Sequence, residues 1–235
     1  MSSARLRESD MHFDTYTPGY QAPILNFMKQ RTAESHAAFF LSRLSPGWDV
    51  LDAGCGPGTI TLGIARKAGP GRVTGIDIED TQFQPSQEQA VREKLPVEFR
   101  KGSVYKLPFA DASFDAVFSH ALLTHLSAPL DALREMRRVL RPGGVIGIRA
   151  SDMGGSLIDD ESGQGWAAYL DQQRAGSKDP NVGRKLGRLL AQSGFSVERV
   201  SASYEVITDA LRNAGLAGDP PFVALAWCES IGVAV

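Results

Sequence analysis

The chain has 235 residues, 43% of them hydrophobic and 22% charged, and its 25 Lys and Arg against 27 Asp and Glu leave a net charge of −2. That is the composition of a globular protein able to bury a full core in one large domain, or in one domain with a cap, and without a basic excess it argues against a nucleic-acid binder. Two cysteines, Cys55 and Cys228, form no CxxC pair, so zinc and thioredoxin-like readings have no support and a reduced, cytoplasmic setting is the expectation.

Met1–Asp10 are polar and of mixed charge, unlike a signal peptide. Helices are predicted over Pro23–Gln30 and Ala33–Leu44, the second capped by Thr32 and stopped by Ser45-Pro46-Gly47. From there the elements alternate. Val50–Ala53 reads as a short buried strand, Ile60–Ala68 as a helix and Val73–Ile78 as a strand. A polar helix follows near Ser86, where Ser86 and Gln89 have capping-box spacing. Val97–Phe99 and Phe114–Ser119 are strands, and Leu130–Leu140 is an amphipathic helix with Leu130, Leu133, Met136 and Leu140 inward. Pro142-Gly143-Gly144 is a turn before a fifth strand, Val145–Arg149. Beyond Ala150 the pattern predicts helices over Leu157–Ala175 and Asn181–Ser193 and a strand over Ser196–Ile207. The apolar run Phe222–Cys228 is too short to span a bilayer, so no membrane span is expected. Alternation of this kind predicts an α/β fold, a doubly wound, mostly parallel sheet covered on both faces, with an N-terminal helical cap.

The first chemical motif is Val50-Leu51-Asp52-Ala53-Gly54-Cys55-Gly56-Pro57-Gly58, leading into a helix. Alternating glycines let the backbone turn sharply and meet a ligand with no Cβ in the way, and the helix points free N–H groups at the same spot. A tight structural turn is the plainer account, but at a first strand–helix junction this pattern usually makes a nucleotide site. The dinucleotide fingerprint would need a glycine at 59, where this chain has Thr59. Asp77 ends the second strand, 21 residues after Gly56, and an acid there can accept from both ribose hydroxyls, which fits S-adenosylmethionine (SAM) and NAD alike.

The later motifs separate the two. Gly102-Ser103-Val104, Leu107-Pro108-Phe109, Ser113-Phe114-Asp115-Ala116-Val117 and Leu140-Arg141-Pro142-Gly143-Gly144 follow in order. From Val50 to Ala150 the chain resembles a class I (Rossmann-like) SAM-dependent methyltransferase, close to the branch acting on quinones, sterols and natural products. The resemblance implies that Asp52, Gly54, Gly56 and Gly58 line the methionine and ribose end of SAM, that Asp77 holds the ribose and that Ile78 touches adenine. The family usually places Asp after the glycine at 102. Here Ser103 stands there, and the backbone N–H of Val104 shares the adenine contact. Ser119 and His120 end the fourth strand, facing the methionine part.

Strand ends at the carboxyl edge of an open sheet are where ligands bind, so His120, His125 and Asp152 are candidate general bases. Local packing and hydrogen bonding is the plainer account of each, and Asp152 could equally orient a cationic or hydroxylated substrate. Tyr16 and Tyr20, with His12 and Phe13, mark an N-terminal segment able to act as a lid. Trp166 is read as cap core or as an acceptor contact, and Arg184 as a solvated charge or an anion contact. Asp219-Pro220-Pro221-Phe222 matches the DPPF signature of amino-methyltransferases, but no apolar strand precedes it, and it is read as a decoy.

The expected activity is in-line transfer of the SAM methyl to a small-molecule acceptor. Residues 1–45 form the cap or lid, residues 46–235 the SAM-binding domain, and about 151–180 the acceptor insertion. A homo-oligomer is compatible with the sequence. Two rivals stay open: a SAM-binding module without catalysis, and an NAD-dependent oxidoreductase, for which no catalytic Tyr/Lys or zinc set is found.

Overall fold

A computed structural model of the chain describes residues 14, 16, 18–159, 164–175, 178–215 and 222–235. His12, Phe13 and Asp219-Pro220-Pro221 lie outside the described residues. In chain order the elements are α1 (Ala22–Lys29), α2 (Ala33–His36), α3 (Ala38–Leu41), β1 (Val50–Ala53), α4 (Thr59–Ala68), β2 (Val73–Asp77), α5 (Gln84–Glu93), β3 (Val97–Lys101), β4 (Phe114–His120), α6 (Pro129–Val139), β5 (Leu140–Ser151), β6 (Leu157–Ile158), α7 (Gln164–Ala175), α8 (Leu186–Gln192), β7 (Phe195–Val206), α9 (Thr208–Asn213) and β8 (Val223–Ala234).

The strands β3, β2, β1, β4 and β5 are parallel, in that order. β8 then runs antiparallel to both β5 and β7, and β6 pairs with its first two residues. One core cluster joins Leu51, Ile76, Leu133, Met136 and Ile146 on the α6 and α8 side of the sheet. The other joins Phe39, Phe40, Ile60, Ile64 and Phe118 on the α4 side, so each face of the sheet is covered as expected for a doubly wound fold. The strand order reverses between β1 and β4, which opens a crevice at their carboxyl ends.

Several local expectations change. The helix expected over 33–44 is split at Ala37, whose φ is −128° and ψ 10°. At the break the Ser35 carbonyl accepts from Arg149 Nη1 at 3.4 Å. The Thr32 cap is present, with Thr32 Oγ1 accepting from the Ser35 N–H. Ser86 is not a cap: α5 begins at Gln84 and the Ser86 hydroxyl donates to the Pro57 carbonyl at 2.6 Å, bracing the glycine loop from behind. The Pro142–Gly144 turn is absorbed into β5 as a register shift between Phe114 and Ala116, with Gly143 at φ +77°. Leu157 and Ile158 are not helical. The edge of β8 offers them a ladder at Ala224 and Val223, and the helix starts only at Gln164. No helix of the described residues is long and apolar enough to cross a membrane.

Candidate active site

The glycine loop sits in the crevice. Gly54, Gly56 and Gly58 have φ of +77°, +53° and +84°, conformations a side chain disfavours. The N–H groups of Gly54 and Cys55 donate to the Ile76 carbonyl at 2.8 and 3.0 Å, tying the loop to β2. Asp77 completes the tie: its Oδ2 accepts from Gly56 N–H at 2.9 Å and its Oδ1 from Glu79 N–H at 3.1 Å. Burial raises the Asp77 carboxyl, opposed by these N–H bonds. Asp52 is 2% exposed and accepts from the Thr61 hydroxyl at 2.7 Å. Burial pushes its carboxyl up to about 7, against that bond and with the help of the charge on Asp77.

Two recesses meet here. The larger is bordered by Gly54, Asp77, Ile78, Ser103, Val104, His120 and His125, under Tyr16 and Tyr20. The smaller is bordered by Asp52, Gly54, Gly56, Thr59 and Ile60, where the first turn of α4 leaves backbone N–H groups without helical acceptors. Met28, Arg31 and His120 border both. Ile78 is 43% exposed just past the end of β2, an apolar side chain open to the recess. Ser103 Oγ accepts from the Tyr105 N–H at 3.3 Å, which leaves its own proton to donate.

His120 and His125 are both brought to the large recess. His120 stacks on Trp227 at 4.9 Å between centroids and meets the edge of His36 at 5.1 Å. Burial, then the charges of Arg31, His36 and Arg149, hold it far below the usual histidine range. Burial likewise lowers His125 to about 4. Among the described residues, His120 Nε2 and His125 Nδ1 are buried without a hydrogen-bond partner. Both rings are therefore neutral at pH 7, with a lone pair available but a basicity below that of a free imidazole. Tyr16 stands edge-on to His125 at 4.7 Å and lies 5.3 Å from Tyr20. The segment is latched by Asp14, which accepts from the Tyr105 hydroxyl and, at 2.8 Å, from Ser127 N–H.

Other expected site residues lie outside both recesses. Asp152 receives two bonds from Arg184 Nε, at 2.9 Å each, and a 2.8 Å contact from Nη2. The pair ties the start of the segment after β5 to the turn before α8. Trp166 Nε1 donates to the Met153 carbonyl at 3.3 Å. Ser119 donates to the Ala53 carbonyl at 2.8 Å, binding β4 to β1. Gly58 serves packing, since a Cβ there would come within 2.4 Å of Phe99. Phe222, the described end of the DPPF motif, is 48% exposed just before β8. Sequence reasoning missed Met28, Arg31 and Gln82, which carry no motif and become site residues only when α1 folds over the loop and α5 under it.

Residues 51–148 match the family model described as a methyltransferase domain. An uncharacterised methyltransferase of Schizosaccharomyces pombe is 30% identical over 198 residues, 80% of this chain and 71% of that one. A probable methyltransferase of Aspergillus luteorubrus is 38% identical over 146 residues, 58% of this chain and 51% of that one. A SAM-dependent methyltransferase structure from Aquifex aeolicus superposes over 92% of this chain and 100% of its own with a TM-score of 0.64, at 19% identity. By this likeness and by its doubly wound sheet, the chain belongs to the class I SAM-dependent methyltransferases.

Proposed function

We propose that the chain methylates a small organic acceptor whose nucleophile is a hydroxyl or an acidic carbon. The observation that carries this is the pair of neutral histidines, His120 and His125, beside the crevice, each with a buried nitrogen that no described residue bonds. When bound, SAM supplies an activated methyl, and the acceptor's proton is the balance of the exchange.

In this reading Asp77 accepts from the ribose hydroxyls and Ile78 packs on adenine. Ser103 and the Val104 N–H face the purine edge. Gly54, Gly56 and the first N–H groups of α4 surround the methionine end, with Arg31 as the countercharge for its carboxylate. None of the described residues forms a hydrogen bond or ion pair with the Arg31 guanidinium. His125 or His120 takes the acceptor's proton, and the enclosing walls hold nucleophile and methyl in line, a proximity effect of up to ~7–11 kcal/mol. The segment from Asp14 to Tyr20 acts as the lid over this pocket.

Calorimetry with SAM, S-adenosylhomocysteine (SAH) and NAD tests the reading. Low-micromolar SAM and SAH binding without NAD binding is the expected result. NAD binding without SAM binding would overturn it. SAH release only when an acceptor is supplied would separate an enzyme from a passive SAM-binding module.

A further inference from the structure

We infer that the amide oxygen of Gln82 is the acceptor for the purine amino group of the cofactor, making Gln82 the residue that selects adenine. The inference rests on the SAM reading above, with the purine lying between the ends of β2 and β3.

Gln82 borders the large recess together with Asp77, Ile78, Ser103 and Val104. It is 4% exposed. Its Nε2 donates to the Glu79 carbonyl at 3.4 Å, which fixes the amide orientation, because the flipped amide would set two oxygens against each other. Its Oε1 is buried and has no hydrogen-bond partner among the described residues. A buried carbonyl left unpaired is costly, and such groups in native structures call for a specific account.

The ligand supplies one. An adenine edge offers two N–H donors on its amino group and a ring nitrogen acceptor beside them. The Ser103 hydroxyl, already accepting from Tyr105 N–H, has a proton for the ring nitrogen, and the Val104 backbone offers a second donor. Among the described residues bordering this half of the recess, Gln82 Oε1 is the unspent buried acceptor. A 6-oxo purine reverses the pattern: its carbonyl would face Gln82 Oε1, acceptor against acceptor.

The test compares SAH with S-inosylhomocysteine, the 6-oxo analogue, by calorimetry on the full chain. The wild-type protein is expected to prefer SAH by at least about tenfold. Gln82→Met, of similar length and apolar, is expected to weaken SAH about tenfold while leaving the analogue unchanged or slightly tighter, so the preference collapses. Gln82→Glu keeps an acceptor and is expected to retain the preference. Equal losses for both ligands in Gln82→Met would make Gln82 a packing residue and overturn the inference, as would an unchanged preference. Wild-type protein that binds neither ligand would instead overturn the SAM reading itself, and this inference with it.

Discussion

Thr61 donates its hydroxyl to Asp52 at 2.7 Å in a setting where the carboxylate has almost no contact with solvent. Burial outweighs that bond and leaves the carboxyl near 7. A carboxyl raised on folding stabilises the unliganded protein below its unfolded value and loses that contribution as pH rises toward 7. A cationic ligand reverses the preference by favouring the ionised form. SAM affinity should therefore increase between pH 6 and pH 8, with a proton released on binding below pH 7. Calorimetry in buffers of different ionisation heat measures that release. Thr61→Val should weaken SAM at pH 7 by roughly 1.5 kcal/mol, about tenfold, and move the midpoint upward. A flat pH profile would place Asp52 outside the linkage.

Asp77 spends one oxygen on the loop, at Gly56, and one on Glu79. It can hold the ribose with the remaining lone pairs. Asp77→Ala should weaken SAM by roughly 1.5–3 kcal/mol, because hydrogen bonds to a charged acceptor are lost. Unchanged affinity would mean that the ribose lies elsewhere.

His125, lowered to about 4 by burial, stays neutral through the physiological range. At saturating SAM, turnover should then hold steady from pH 8 to about 6 and fall only as pH approaches 4, whereas stability is lost earlier, as pH falls from about 6.5 to about 4, because the unfolded chain accepts a proton that the folded state, keeping His125 neutral, resists. If His125 or His120 is the base, its alanine variant should lose kcat by ~10²–10⁴-fold while binding SAM normally. Two variants with near-normal turnover would show that positioning alone suffices.

Behind His120 lies a buried cluster. Arg149 bonds Glu205 at 3.2 Å, stands 3.6 Å from Glu229 and lies over Trp227, while His36 Nε2 meets Glu205 at 3.1 Å. Burial raises the Glu205 carboxyl, but His36, Arg149 and Arg31 outweigh it and hold it below the ordinary range. Its contribution to stability is present above the unfolded value and lost as pH falls through the lower folded one. Arg149→Met takes the guanidinium from Glu229 and leaves Glu205 with His36 alone, and should cost about 3 kcal/mol, a fall in melting temperature on the order of 10 °C. A variant melting like the wild type would show the cluster to be dispensable.

That cluster also marks where the sequence stops being legible. The glycine loop, Asp77 and the parallel strands are local patterns: a few residues carry both the conformation and the chemistry. His36 and Glu205 are 169 residues apart, and nothing near either one signals the other. The Leu157-Ile158 pair fits a helix face as well as a strand, and only the edge of β8, some 65 residues later, decides between them. Gln82 and Arg31 show the same limit within the site, since their neighbours come from other elements.

The N-terminal segment gives the last test. Asp14 latches it to Tyr105 and Ser127, and burial together with the Asp14 bond pushes the Tyr105 hydroxyl up to about 12. α1 buries no residue fully, so little of the core depends on what precedes it, whereas Tyr16 and Tyr20 border the recess and Tyr16 covers His125. A lid that excludes water from the transfer should be separable from folding. Deleting residues 1–21 is expected to leave the melting temperature near normal and abolish acceptor turnover. Asp14→Ala, which removes the latch alone, should lower turnover less and leave SAM binding intact. A truncated protein that unfolds readily would make the segment a structural arm instead. One that keeps full activity and stability would deny it either role.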